Sequence, residues 1–285
     1  MSSREAPHPM TGMDAFAPQE IAQLVETRGI AKANAPIVTT FVLGVLAGAF
    51  IGLGAVLSTT IATGSSLGYG PTKWLAGLGF SLGLILVVVA GAELFTGNNL
   101  IVMSLVSRHI TIGRLLRNWG IVYVGNLVGA LSIAGMVWVA EWWKQSDGAI
   151  GATVLATAAT KAGLPFGVVV VRGILANALV CLAVWLAAGG RTVIDKILAI
   201  VFPISAFVAA GFEHSVANMY FIPAGMLIKH EPGLAKAAGL TSDKLAKLDL
   251  GGLLTNLAAA TLGNIVGGAV LVGVVYWFVY LRRAP

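Results

Sequence analysis

The chain has 285 residues, 57% of them hydrophobic and only 11% charged, against about 25% charged in an ordinary soluble domain. With a mean hydropathy of +0.88, this excludes a soluble enzyme or binding module and points to an all-α integral membrane protein. The net charge of +6 comes from few acids plus Lys and Arg flanking apolar segments; no basic patch with interleaved aromatics occurs, so no nucleic-acid partner is expected.

Residues 1–36 contain no apolar leader core and carry Glu5, Asp14, Glu20 and Glu26, so no cleavable signal is expected and the first hydrophobic segment acts as its own insertion signal. Pro18 to Arg28 reads as a short helix ending at Gly29, with Ile21, Leu24 and Val25 on one side. A role on the membrane surface or in packing is favoured over plugging a pore.

A hydrocarbon core of ~30 Å needs about 20 apolar residues in a helix. Six segments qualify: 37–60, 74–106, 115–140, 164–188, 194–228 and 252–281. The expected boundaries are therefore a cytoplasmic N-terminal segment 1–36, a six-span body 37–281 and a cytoplasmic tail 282–285. Segments two and five are too long for one span. Each contains a polar interruption, GAELFTGNN at Gly91–Asn99 and GFEHSVAN at Gly211–Asn218.

The two interruptions match. Gly91, Glu93 and Asn98 have the spacing of Gly211, Glu213 and Asn218, and GNLVGA in segment three matches GNIVGG in segment six. Three spans per copy force the second copy to insert upside down, so the chain reads as an inverted repeat with interrupted second and fifth helices. The second half carries an insertion in the polar stretch around Lys229–Asp249. With both termini cytoplasmic, the inside holds Arg4, Arg28, Lys32, Arg108, Arg114, Arg117, Arg191, Lys196, Arg282 and Arg283. The outside holds Lys73, Lys144, Lys161, Lys229, Lys236, Lys244 and Lys247, four of them in one loop. That asymmetry supports the orientation.

Apart from Asp195 at the very start of the fifth segment, Glu93 and Glu213 are the only acids within the spans, and both sit at the interruptions. Unwound backbone inside a membrane has free N–H groups that need acceptors. The two glutamates are read as serving that structural need, helped by Asn98 and Asn218, with Gly91 and Gly211 allowing the turns. His214 is the only histidine in a span, and its repeat counterpart is Leu94. The architecture works without an imidazole in the first half, so a pathway role is favoured over a packed core histidine. No second His or Cys lies near enough for a metal site, and no cofactor is expected. Arg172 reads as snorkelling or pairing at a span end. Cys181 is the single cysteine and cannot form an intrachain disulfide.

The stretches GAELFTGNN, YVGNLVGA, RGILANALVCLAVW, GFEHSVANMYFIP and LGNIVGGAVLVGVVYWFVYLR resemble, in order and over residues 30–283, the signatures of the formate/nitrite transporter family. The resemblance implies an aquaporin-like six-transmembrane-helix protomer, in a chain that lacks the aquaporin Asn-Pro-Ala motifs. It also implies a homopentamer in the plasma (inner) membrane with one pathway per protomer. The family's central histidine and its facing threonine fall on His214 and Thr96, its pore asparagine on Asn177 and its vestibule lysine on Lys161. Its apolar constrictions fall on Phe80, Leu84, Phe95 and Phe207.

On that reading the substrate is a small monovalent anion of a weak acid: formate first, then nitrite or hydrosulfide. Lys161 concentrates the anion, and the Phe and Leu rings penalise its charge. His214 exchanges a proton with it, or supplies charge transiently, while Thr96 and Asn177 hold the geometry. Two other classes remain: a neutral-solute channel, and an intramembrane enzyme using Glu213 and His214 as acid and base.

Overall fold

The structure is a computed structural model describing residues 14–282; Arg4, Glu5 and Arg283 lie outside the described residues. All regular structure among the described residues is helical. Five helices are long and apolar enough to cross a membrane: α2 (Ile37–Ala62), α3 (Tyr69–Gly91), α5 (Ile112–Val139), α7 (Phe166–Gly189) and α12 (Leu250–Tyr280). The second expected segment is interrupted after α3 and resumes as α4 (Gly97–Val106). The fifth is split into α8 (Val193–Ala209) and α9 (Ser215–Ile228).

Each interruption is turned by a glycine in the left-handed region, Gly91 at φ +89° and Gly211 at φ +70°, where a Cβ clashes with the backbone. Helix starts at polar loops are capped by side chains. Thr192 opens α8 with a reciprocal capping box to Asp195, and the Asp249 carboxylate accepts the Gly252 N–H at 2.7 Å ahead of α12. Such caps satisfy donors that no preceding turn can reach.

The helices pack through backbone contact rather than large side chains. A Cβ on Gly129 would land on the Val45 carbonyl oxygen, drawing α5 against α2, and one on Gly267 would land on the Ile174 carbonyl, drawing α12 against α7. Lipid tails are as apolar as leucine, so close approach of small residues supplies the packing that a hydrophobic effect supplies in water. The same contact appears in both halves of the chain.

One expectation needs correction. The N-terminal helix, α1, runs Pro18–Asn34 and passes straight through Gly29. That glycine is a point of close approach, because a Cβ there would strike the Ser104 hydroxyl of α4; the helix stops instead where Ala35 is extended ahead of Pro36. Lys161 sits in the last turn of α6 (Ala149–Ala162). The insertion at 229–249 holds two short helices, α10 (Leu234–Ala237) and α11 (Ser242–Ala246), packed against α6.

Nothing lies within 4 Å of a Cβ built on Gly211. Gly211→Ala is therefore expected to cost only backbone strain, about 1–2 kcal/mol. Gly129→Ala must push two helices apart and is expected to cost more. Thermal unfolding of the solubilised protein ranks the pair; a neutral Gly129→Ala would disprove the packing account.

Candidate functional site

The unwound segments place backbone polar groups where hydrocarbon surrounds the protein, and each such group left unpaired costs several kcal/mol. In the first interruption the Glu93 N–H donates to the Leu43 carbonyl at 3.1 Å. The Phe95 N–H donates to Asn126 Oδ1 at 2.9 Å. Asn126 Nδ2 donates to the carbonyls of Gly44 and Glu93, at 2.8 and 2.9 Å. The second interruption repeats this bond for bond. The Glu213 N–H donates to the Arg172 carbonyl at 3.3 Å and the Ser215 N–H to Asn264 Oδ1 at 2.9 Å. Asn264 Nδ2 reaches the carbonyls of Gly173 and Glu213, at 2.8 and 3.0 Å. The acceptors are thus side-chain amides on α5 and α12, not the glutamate carboxylates expected from the sequence. An amide suits the task better because it both donates and accepts.

The glutamates are occupied elsewhere. Glu213 is 2% exposed; its Oε1 pairs with Lys161 Nζ at 2.9 Å and its Oε2 accepts from Asn218 Nδ2 at 2.6 Å. Asn218 Nδ2 also donates to Asn256 Oδ1 at 2.7 Å, and Asn256 Nδ2 closes the ring on the Lys161 carbonyl at 2.9 Å. Glu93 pairs with Lys32 Nζ at 3.1 Å and accepts from Asn98 Nδ2 at 2.6 Å. Asn98 Nδ2 donates to Asn118 Oδ1 at 3.0 Å, and Asn118 Nδ2 reaches the Lys32 carbonyl at 3.1 Å. So α1 and α6 are repeat counterparts, each delivering a lysine to a break glutamate. Sequence reasoning missed Lys32, Asn118, Asn126, Asn256 and Asn264. The duplicated Gly-Asn motifs around Asn126 and Asn264 were the available signal; nothing marked Lys32, which lies outside the matched motifs.

Thr96 immediately precedes α4 and His214 immediately precedes α9, and the two side chains meet: Thr96 Oγ1 lies 2.9 Å from His214 Nε2. Both are buried. The N-termini of the two half-helices therefore converge on one hydrogen bond, bringing two partial positive charges together. The Ala217 N–H donates to His214 Nδ1 at 3.0 Å. With Nδ1 an acceptor, a neutral ring carries its proton on Nε2 and donates it to Thr96.

A cavity lies on each side of this contact. One, about 390 Å³, is lined by Phe80, Phe207, His214, Lys161, Glu213 and Arg172, among others. The other, about 460 Å³, is lined by Leu84, Leu94, Lys32, Glu93 and Arg28, with mostly apolar neighbours. Phe80 and Phe207 meet edge to face at 5.6 Å, and the Phe207 ring lies 5.9 Å from the imidazole. Phe80 and Phe207 line the first cavity and Leu84 the second.

Three resemblance-derived residues line neither cavity: Thr96, whose hydroxyl meets His214, and Phe95 and Asn177. Phe95 packs against Tyr123 at 5.0 Å and Trp119 at 5.9 Å. Asn177 Nδ2 holds the loop from behind, donating to the Asn264 carbonyl at 2.7 Å, Asn99 Oδ1 at 2.9 Å and the Thr96 carbonyl at 3.3 Å. Arg172 does not snorkel outward; it faces the first cavity. Among the described residues no group of three or more His, Cys, Asp or Glu is placed to hold a metal.

The family model for formate/nitrite transporters matches residues 19–278. The chain is 43% identical over 274 residues to the formate channel FocA of Escherichia coli strain K12, covering 95% of this chain and 96% of that one. It is 42% identical over 264 residues to the FocA of Haemophilus influenzae, covering 91% and 93%. Among solved structures it is similar to a pentameric formate channel with formate bound, with a TM-score of 0.78 and 36% identity over 86% of this chain and 98% of that chain.

The Glu213 carboxylate is more deeply buried than that of Glu93, with side-chain exposures of 3% and 13%. Removing one partner of a buried pair costs about 3–5 kcal/mol. Glu213→Gln is expected to approach that range and Glu93→Gln to cost less. Unfolding midpoints of the two variants check the order; equal shifts would show that burial does not set the cost.

Proposed function

The chain belongs to the formate/nitrite transporter family, a family of transporters rather than enzymes, and from that premise we propose that it carries formate across the membrane with a proton exchanged at His214. The observation that carries this is the Thr96–His214 hydrogen bond set between two cavities. A similar protein of known structure is a pentameric formate channel with formate bound. Family membership argues against the intramembrane enzyme.

Formate reaching Phe80 and Phe207 leaves water for rings that solvate a charge badly. The two half-helix N-termini favour the anion there without a competing counter-ion. His214 is the only buried side chain at the junction whose ordinary titration range is near neutral pH. A proton from cavity water adds to the ring. The Nε2 proton then moves to a carboxylate oxygen, neutral formic acid passes Leu84 and Leu94, and the ring, left as the Nδ1–H tautomer, resets by taking a proton from water at Nε2 and releasing one to water from Nδ1. Formic acid returns its proton to water beyond. An imidazolium needs a proton on Nδ1, so forming it releases the Ala217 N–H and loosens the start of α9. Asn177 holds the Thr96 carbonyl in place throughout.

The termini are proposed to face the cytoplasm of a cell whose plasma (inner) membrane holds the chain, with residues 37–281 as the six-span body. The half-exposed apolar surfaces of α2, α5 and α7 face lipid or neighbouring copies in a homopentamer.

Formate uptake with simultaneous internal pH recording in proteoliposomes tests the mechanism. His214→Phe is expected to abolish nearly all proton-linked uptake. His214→Asn is expected to uncouple anion movement from protons, and Thr96→Val to reduce uptake more mildly, since a hydroxyl partner is worth about 0.5–1.5 kcal/mol. Wild-type pH change in both His214 variants would reduce the histidine to packing. Parallel runs with nitrite and hydrosulfide rank the substrates.

The pentamer is checked by the mass of the gently solubilised complex. Five protomers are expected; a monomer would refute the assembly.

A further inference from the structure

Lys161 and Lys32 are each matched by a glutamate, Glu213 and Glu93, and Lys73, which also lines the first cavity, lies over the Tyr69 ring. Arg172 is different. It projects from α7 into the 390 Å³ cavity and forms no ion pair among the described residues. Its guanidinium makes one long hydrogen bond, from Nη1 to the Gly211 carbonyl at 3.4 Å. The repeat provides no counterpart: the carbonyl of Arg172 accepts the Glu213 N–H as that of Leu43 accepts the Glu93 N–H, so the matching position is an aliphatic residue. The first half builds the same break without a guanidinium, so the break does not require one.

We propose that Arg172 is the docking group that selects planar anions with two oxygens on one atom as they approach His214. The inference rests on the transport reading above and adds a determinant of substrate choice to it. A guanidinium presents five N–H donors in a rigid fork that engages O–X–O geometry with two parallel bonds. Formate and nitrite both have it. Hydrosulfide and chloride do not, and meet only a positive charge. The fork contacts Gly211, three residues ahead of His214, and shares the cavity with Phe207. An anion seated on it lies between the cavity mouth and the central pair. Lys161 contributes less to this capture, because its charge is neutralised at 2.9 Å by Glu213. Arg28 lines the other cavity but is exposed, whereas Arg172 is half-buried.

Two variants separate geometry from charge. Arg172→Lys keeps the charge and loses the fork; Arg172→Gln loses both. Initial uptake rates in proteoliposomes are measured against concentration for formate, nitrite and hydrosulfide. Arg172→Lys is expected to raise the half-saturating concentration of formate and nitrite about tenfold, the value of one lost charge-assisted bond, with the maximal rate held and the hydrosulfide curve little moved. Arg172→Gln is expected to raise it for all three. If Arg172 merely braces Gly211, both variants lower the maximal rate of every anion alike, and the proposal fails. It fails too if Arg172→Lys shifts hydrosulfide as much as formate. A wild-type protein that carries no formate overturns the transport reading instead. The fork is then read by line broadening of ¹³C-formate on solubilised protein in excess chloride. Broadening lost in Arg172→Lys supports docking, and equal broadening in both proteins overturns it.

Discussion

Backbone that leaves a helix inside a membrane must find its hydrogen bonds within the protein, and the structure is organised around that demand. Water cannot reach most of these groups and lipid offers no partners. Two side-chain amides meet the need, Asn126 and Asn264, each accepting one N–H and donating to two carbonyls. An amide can sit there only if its helix lies close to the broken one, which explains the glycine contacts between α2 and α5 and between α7 and α12. The interrupted helices, close packing and central junction follow from the same requirement.

The duplicated frame is nearly symmetric in its structural bonds and asymmetric where the pathway runs. Leu94 stands where the other copy has His214, and Val216 where it has Thr96. Gly48 and Asn177 form another such pair. A Cβ on Gly48 would strike the Asn126 carbonyl, whereas Asn177 donates to the equivalent Asn264 carbonyl at 2.7 Å. Leu43 and Arg172 are a fourth. Repetition supplies two facing half-helix N-termini, and the departures from repetition supply the side chains that hydrogen-bond between them.

Charge is placed with the same economy. The lysines reach the break glutamates from helices α1 and α6, so each buried carboxylate has an ion pair and an amide donor. Breaking such a pair leaves an uncompensated charge in poorly solvated surroundings, which holds the short helices against the spans. α1 is further held by the Ser104 hydroxyl donating to the Glu26 carbonyl at 2.8 Å, and is part of the packed body.

The sequence alone determined the membrane class, the segments, the two interruptions and their duplication. Hydropathy over a span-length window and a Gly-x-Glu-x4-Asn spacing are local properties of the chain. It also singled out His214, an ionisable group with no counterpart in the other copy. Tertiary structure decided what those polar residues touch. Glu93 and Glu213 turned out to hold lysines rather than backbone donors, because amides from helices far along the chain had already taken the donors. Lys32 was illegible because its partner lies on another element, and α1 was misjudged because Gly29 marks a close approach that a one-dimensional pattern reads as an end. Arg172 followed the same rule: its residue type was visible, but only folding set its guanidinium on a cavity, without an ion-pair partner among the described residues.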